Sequence, residues 1–286
     1  MNAQPRFPGM PLLALLILAT PAPAAATEEP LPYYLQDRGT GVYTSLFGTY
    51  VRDGELLVYP FYEYVVNKED EYHGSELGYT GEIDYLGKVV EHEYLLFFAY
   101  GFTEDLAAEF ESALYTTKTL ERASDDTTSG LPPELKESGL GDVEGQIRWR
   151  LAKETATRPE YWVNFEVVFP LQKDKVLIGT QDWEFGAGIG LTNGFTWGTL
   201  TPRFSIAYDR AESELEVGEV AIEYLKRLSP EWRWVSTIEG TSDEFSLILE
   251  AQWHFSPRAF WKFNSGFALT EPAEDFAPEI GLMMVF

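Results

Sequence analysis

The chain has 286 residues, with 46 Asp and Glu against 21 Lys and Arg, which gives a formal net charge of −25 at pH 7. It contains no cysteine, which excludes disulfides, thiolate metal ligands and cysteine nucleophiles. Because phosphate binding needs a basic face, the acidic balance argues against a nucleic-acid partner.

The chain opens with the pattern of a secretory signal peptide. Arg6 supplies the positive charge, and residues 12–19 form an apolar run that is too short to span a bilayer. Ala24-Ala25-Ala26 then offers a small-residue cleavage site. We therefore expect residues 1–26 to be removed, with a retained N-terminal anchor as the alternative.

Residues 27–55 precede the first long alternating run of the sequence. This segment is interpreted either as a periplasmic lead or as a partial plug of a barrel lumen, and the sequence leaves both open. The remaining part, residues 56–286, is predicted to form the barrel itself.

Alternation of apolar and polar residues is the main structural signal after residue 56. In residues 141–152, Ile147 and Trp149 alternate with Arg148 and Arg150. No later stretch contains 18 apolar residues, the length that a membrane-crossing helix needs. Runs of about ten alternating residues are typical of transmembrane strands, with the apolar face toward lipid and the charged face toward the lumen.

Turn residues separate these runs into alternating short and long connections, as in outer-membrane barrels. Asn193-Gly194 is predicted to be a tight hairpin turn, because this pair tolerates positive φ angles. The connection over residues 118–140 is predicted to be a long, solvated outer loop. Residues 41–51 and 75–86 alternate weakly, and adding both to the wall would make fourteen strands.

We therefore predict an all-β fold, a transmembrane antiparallel up-and-down β-barrel of twelve strands with both termini on the periplasmic side. The predicted strands are 56–66, 92–102, 106–117, 141–152, 160–170, 183–192, 195–208, 215–228, 232–239, 244–255, 260–270 and 277–286.

The last strand carries an apolar face that ends on an aromatic residue. Ile280, Leu282, Met284 and Phe286 share this face. The pattern resembles the C-terminal assembly signal of bacterial outer-membrane barrels, which implies an outer-membrane location, surrounding outer-membrane lipid and the barrel assembly machinery as a partner.

Two further stretches resemble one family of outer-membrane proteins, the transporters assigned to a phenol-degradation pathway. They are Tyr100-Gly101-Phe102-Thr103-Glu104-Asp105-Leu106, similar to a strand-turn-strand pattern of that family, and Ser138-Gly139-Leu140-Gly141-Asp142-Val143, similar to the start of its next strand. The family is distantly similar to fatty-acid and aromatic-compound channels. The resemblance implies a small-molecule solute that is hydrophobic or aromatic.

Charged residues on the polar faces are predicted to line the lumen, since Arg or Lys on the lipid face costs about 2 to 4 kcal/mol at the midplane. They indicate either a permeation path that prefers cations or a closed barrel in which Arg and Glu bridge the interior. The candidates are Glu109, Glu111, Glu144, Arg148, Arg150, Glu166, Glu184, Arg203, Glu219, Glu223, Glu250 and Lys262.

The three histidines, His73, His92 and His254, do not form a catalytic pattern with a serine elbow. His73 lies among acidic residues, but no spacing fixes a set of metal ligands. We predict no catalytic residue, no metal and no cofactor. The leading hypothesis is an outer-membrane channel for passive uptake. The alternatives are a closed structural or binding barrel without conductance and, ranked third, a surface hydrolase.

Overall fold

The computed structural model describes residues 30–210, 213–241, 244–271 and 273–286. The predicted signal peptide lies outside the described residues. A short 3-10 helix at Tyr33–Leu35 is followed by two short strands, β1 (Val42–Tyr43) and β2 (Tyr50–Val51), which pair with each other and not with the wall.

Twelve antiparallel strands form the wall, and each pairs with its neighbour around a closed ring. The predicted twelve-stranded barrel is confirmed. The weakly alternating residues 41–51 and 75–86 do not add two further wall strands. The wall strands are β3 (Leu56–His73), β4 (Asp84–Gly101), β5 (Leu106–Glu121), β7 (Val143–Ala152), β8 (Glu160–Val168), β9 (Glu184–Phe195), β10 (Gly198–Asp209), β11 (Glu214–Arg227), β12 (Trp232–Gly240), β13 (Phe245–Ser256), β14 (Ala259–Ala268) and β15 (Phe276–Val285).

The barrel closes where β15 meets β3. Ile280 is the register partner of Tyr62. At the end of this seam, the N–H of Leu56 donates to the carbonyl of Phe286 at 3.1 Å, and the N–H of Phe286 donates to the carbonyl of Leu56 at 2.9 Å. The last residue of the chain is thus hydrogen-bonded to the first residue of the wall.

The two faces of the wall differ as the alternation predicts. On β7, Ile147 and Trp149 are 54% and 56% exposed, whereas Arg148 is 4% exposed. Because the strands are closed into a ring, their backbone groups are paired without a free edge. The outward apolar surface therefore suits lipid, and the inward surface is polar.

The outer side of the barrel differs from the prediction in one region. β3 and β4 each have 18 residues, so much of the expected connection between them is strand. An additional strand, β6 (Glu134–Gly139), pairs with the outer end of β5. Tyr72, Leu120 and Leu131 form a small apolar core there. The expectation of a solvated loop over residues 118–140 is thus wrong for these residues, because they bury apolar side chains.

The predicted turn at Asn193-Gly194 is also wrong. Both residues lie within β9, and the chain turns at Thr196 and Trp197. Gly194 lies directly against the backbone of Tyr34, where a Cβ atom would overlap it. Its N–H donates to the Glu154 carboxylate at 2.6 Å. The glycine is required here for close packing and not for a positive φ angle.

In the part of the chain that the structure describes, no helix is long and apolar enough to cross a membrane.

Candidate functional site: the barrel lumen

Residues 31–55 are here called the luminal segment, and most of residues 37–51 are buried or half-buried against the wall. Tyr43 and Val51 are 1% and 0% exposed. Val42 and Val51 pack with wall residues from several strands, including Tyr59 and Phe97. Polar contacts reach further strands on the other side of the ring, so wall residues surround the segment.

Wall carboxylates hold the middle of the luminal segment. The Tyr43 hydroxyl donates to Glu223 at 2.8 Å, and the Gly48 N–H donates to the same carboxylate at 3.0 Å. The Ser45 N–H donates to Glu109 at 2.9 Å. Hydrogen bonds to a buried carboxylate are stronger than bonds between neutral groups, so these two glutamates fix the position of the β1–β2 hairpin.

Buried ion pairs hold the start of the luminal segment. Arg38 is 3% exposed and pairs with Glu154 at 3.0 Å and with Glu160 at 3.2 Å. Arg150 of the wall also pairs with Glu160, at 3.3 Å, and donates to the carbonyl of Gly41 at 2.5 Å. Breaking one partner of such a pair leaves a buried charge, which is strongly destabilising.

The four predicted luminal cations all face the interior, and each has an acidic partner. Arg148 Nε lies 3.1 Å from Glu109, Arg150 Nε lies 3.0 Å from Asp105, and Lys262 lies 3.2 Å from Glu250. Arg203 pairs with Glu239 at 2.6 Å and with Glu219. The structure thus brings Glu109, Glu219, Glu223 and Glu250 together with cations or with the luminal segment.

The other predicted acids have a different environment. Glu111 and Glu144 are register partners on β5 and β7, and Glu166 accepts a hydrogen bond from Gln146 at 2.5 Å. Glu184 begins β9. None of the ion pairs in the described part of the lumen includes these four residues. Glu144, Glu166 and Glu184 lie toward the outer ends of their strands.

Four inward acids were missed by the sequence reasoning, namely Glu63, Glu93, Glu239 and Glu279. Glu63 is the register partner of both Glu93 and Glu279, so three adjacent strands carry opposed carboxylates. Like charges directly opposite each other destabilise a sheet. Glu63 is hard to recognise in the sequence because the inward positions before it on β3 are apolar, which hides the alternation of that strand.

A cavity of about 290 Å³ lies above the luminal segment. It extends from Ser45 of that segment to Thr241, an exposed residue of an outer turn, and polar side chains of β7, β8 and β10 line it. This cavity therefore extends from the luminal segment to the outer end of the barrel.

The histidines lie apart from one another. His92 bonds to the Tyr62 hydroxyl at 2.8 Å, and His254 bonds to Gln252 at 3.2 Å. His73 faces Glu76 at 3.0 Å and also Asp84, at the outer rim. Glu71, His73 and Asp84 bring possible ligand atoms within 4.8 Å of one another. Hydrogen bonds to Asp84 and Glu76 raise the pKa of His73 above its ordinary value.

No family model and no curated protein matches the chain. Among solved structures, an outer membrane channel from Pseudomonas putida F1 is similar, with 12% identity and a TM-score of 0.60 over 82% of this chain and 97% of that chain. The Ralstonia pickettii toluene transporter TbuX has 8% identity and a TM-score of 0.41 over 82% of this chain and 88% of that chain. Outer membrane phospholipase A from Escherichia coli has 10% identity and a TM-score of 0.42 over 82% and 93%.

The similarity to the Pseudomonas putida structure establishes a shared fold. Together with the closed ring of strands and the outward apolar surface, this fold places the chain in an outer membrane, as the sequence predicted.

Proposed function

We propose that the protein is an outer-membrane channel for passive uptake of small molecules, and that the luminal segment closes it at rest. The observation that carries this proposal is the division of the lumen into two levels. The luminal segment fills the periplasmic level. Above it lie the cavity and a set of carboxylates, here called the acidic level, which comprises Glu63, Glu93, Glu111, Glu144, Glu166, Glu184 and Glu279. A solute that enters the cavity meets the luminal segment as its barrier.

The carboxylates of the acidic level favour a conducting barrel over a barrel with a purely structural role. Glu63, Glu93 and Glu279 face one another across adjacent strands, and Glu111 faces Glu144. An interior that served only to stabilise the barrel would gain from apolar or oppositely charged partners at these positions. Rings of carboxylates are instead a usual lining of cation-conducting paths.

The proposed class of solute rests on two short stretches of sequence. The similarity of residues 100–106 and 138–143 to the family of phenol-degradation transporters supports hydrophobic or aromatic solutes. The Pseudomonas putida protein with the same fold is an outer membrane channel, which supports conduction and leaves the solute open.

The closed structural barrel is the second candidate, and the ion pairs of the periplasmic level favour it. Arg148, Arg150, Arg203 and Lys262 each bridge to an acid, as a filled interior would require. A surface hydrolase is the third. Purified protein that hydrolyses phospholipid or peptide would support that function.

Conductance in planar bilayers separates the first two candidates. Glu223→Ala removes the acceptor that holds Tyr43 and Gly48, so we expect longer or more frequent openings than in the wild type. Glu216→Ala is the matched control, because Glu216 lies on the same strand and is exposed. Deletion of residues 31–53 should open the channel further. Silence of the wild type and of both opened variants would favour the closed barrel.

A further inference from the structure

Arg233 is a cation of the barrel interior that lacks an acidic partner. It lies on β12, two residues before the buried Val235 on the same face, and it is half-buried. Among the described residues, no carboxylate lies within ion-pair distance of its guanidinium, and none forms a hydrogen bond with its side chain. The four predicted luminal cations each have an acid, so Arg233 is an exception in a chain with a net charge of −25.

The neighbouring strand adds positive charge to Arg233. Its register partner on β11 is Arg227. Like charges directly opposite each other destabilise a sheet. Asp37 lies in the same region, but it pairs with Lys226 at 3.2 Å and accepts the N–H of Arg227 at 2.9 Å. A half-buried charge without a counter-charge is unfavourable, and a bound anion would remove that cost.

A small cavity separates Arg233 from the luminal segment at the periplasmic end of the barrel. Its volume is about 90 Å³. Arg38, Thr40 and Arg52 of the luminal segment contribute to its lining, and so do Arg233 and His254 of the wall. Because one water takes about 30 Å³ of liquid volume, the cavity has room for about three waters or for one ion of that size.

The lining of this cavity carries an excess of positive charge. It includes three arginines and one acidic residue, Glu55. Arg38 has two acidic partners, and Arg52 lies 3.8 Å from Glu55. The charge of Arg233 is therefore left without a balance among the described residues that line the cavity.

The guanidinium of Arg233 can be reached at its terminal end. Its Nε is enclosed, whereas Nη1 and Nη2 keep accessible surface on a side chain that lines the cavity. Two parallel N–H donors match two oxygens of one oxyanion. The side chain of Arg52 is 64% exposed, so it is free to supply a second cationic contact.

We propose that this cavity binds one small oxyanion, of the size of inorganic phosphate, between the luminal segment and β12. The anion accepts hydrogen bonds from Nη1 and Nη2 of Arg233 and from Arg52. Because Arg52 belongs to the luminal segment and Arg233 to the wall, the bound anion bridges the two. The inference goes beyond the proposed function and holds whether or not the barrel conducts.

The first test uses inorganic phosphate and the purified protein in an uncharged maltoside detergent. Phosphate should raise the temperature of heat unfolding, because a ligand that binds only the folded state stabilises it. Sodium chloride at equal ionic strength measures the effect of screening alone. No shift beyond that of chloride would overturn the inference.

Arg233→Met tests the main contact, since methionine keeps much of the aliphatic stem without the charge. It should weaken phosphate binding at least about tenfold, because hydrogen bonds to charged groups are strong. Arg258→Met is the matched control, because Arg258 is exposed in the turn between β13 and β14, and it should keep the shift. An equal phosphate shift in Arg233→Met and the wild type would contradict the site.

Stability without phosphate separates this site from a structural ion pair. Removing one partner of a buried pair is strongly destabilising, whereas removing an unbalanced charge is not. In phosphate-free buffer, Arg233→Met should therefore unfold at the temperature of the wild type or above it. A lower temperature would show that a protein group balances Arg233, which would overturn the inference.

A further measurement leaves Arg233 in place. Because the chain has no cysteine, Thr40→Cys places one thiol at the cavity. Phosphate should slow labelling of this thiol by a maleimide, and chloride should not. Short-chain phosphatidylglycerol tests a lipid headgroup as the source of the phosphate group. Protection by this lipid but not by inorganic phosphate, or equal labelling in phosphate and chloride, would overturn the inference.

Discussion

Asp126 shows how one carboxylate organises an outer loop. It is 2% exposed and accepts hydrogen bonds from the Tyr72 hydroxyl at 2.9 Å, from the N–H of Ser129 at 3.0 Å and from the N–H of Thr128 at 3.2 Å. Burial by itself raises the pKa of Asp126, but these bonds and one from the Ser129 hydroxyl outweigh it and lower the pKa to about 2.

We expect Asp126→Asn to destabilise this loop by about 1 to 3 kcal/mol, because buried donors lose a charged acceptor. The measurement is amide hydrogen exchange of residues 122–133 in folded protein. Asp125→Asn is the matched control, since Asp125 is the exposed neighbour. Equal exchange in the two variants would show that the loop does not depend on Asp126.

The pH dependence of this contribution follows from the direction of the shift. The pKa of Asp126 is lower in the folded protein than its ordinary value of 3.8, so the stabilisation is complete above about pH 4 and is lost as the pH falls through about 2. In Asp126→Asn, loop exchange should lack this acid-sensitive component.

At the scale of the element, neighbouring strands interlock at Gly281 of β15. A Cβ atom there would overlap the rings or stems of Tyr59 and Phe61 on β3. Gly281→Ala should therefore destabilise the barrel by about 1 to 3 kcal/mol through overpacking at the seam. Gly266→Ala is the control on β14, where a Cβ would lie 3.5 Å from Ala277, an ordinary contact. The midpoint of heat unfolding, followed by gel mobility of unboiled protein, measures both.

The side chain of Phe286 allows assembly to be separated from stability. It is 62% exposed, while its backbone N–H and carbonyl are bonded to Leu56. Phe286→Ser keeps the backbone bonds, so we expect the purified barrel to retain its unfolding temperature. If Phe286 is an assembly signal, the amount of folded protein in outer-membrane fractions should nevertheless fall. A normal amount in the membrane would contradict that role.

The sequence was sufficient to predict those wall strands in which contact with lipid imposes a strict alternation of apolar and polar residues. Ile147 and Trp149 cannot exchange faces with Arg148 and Arg150 without exposing charge to hydrocarbon, so β7 is readable by itself. The inward face of β3 was harder to interpret, because Tyr59 packs on the luminal segment and not on water. Such a contact joins distant parts of the chain and leaves no local period.

The predictions of turn residues and of site contacts were limited for the same reason, namely that contacts between distant parts of the chain determine them. Gly194 looked like a turn residue, but its small size serves a contact with Tyr34. Arg148 stacks on Tyr43 and Gln146 donates to Glu166, and only the assembled barrel brings these residues together. The alternation of β7 predicts that the side chains of Arg148 and Gln146 point into the lumen, but it does not predict which residues they contact there.

At the scale of the whole molecule, the acidic level predicts ion selectivity. Fixed negative charge in a narrow passage concentrates cations and repels anions. We therefore expect an open channel to prefer cations, with a preference that weakens as the screening length falls from about 10 Å at 0.1 M salt to about 3 Å at 1 M. Reversal potentials in a salt gradient measure it.

Replacing Glu144, Glu166 and Glu184 by Gln should reduce this selectivity while the barrel remains folded, since amides keep the polar surface without its charge. Replacing Glu121, Glu134 and Glu231 is a matched control, because these three glutamates are exposed and lie outside the lumen or at its rims. Anion preference of the wild type would contradict the assignment of the acidic level.

The seam between β3 and β15 has a consequence for the order of folding. Its register joins Tyr62 to Ile280, so the closing pairs are among the most distant in the sequence. Such non-local pairing is slow, because the chain loses loop entropy before the contacts form. The luminal segment precedes β3 and is held by β5, β8 and β11, so its native bonds need strands that are synthesised later. We therefore expect this segment to acquire protection from hydrogen exchange only in the final kinetic phase of refolding, together with ring closure.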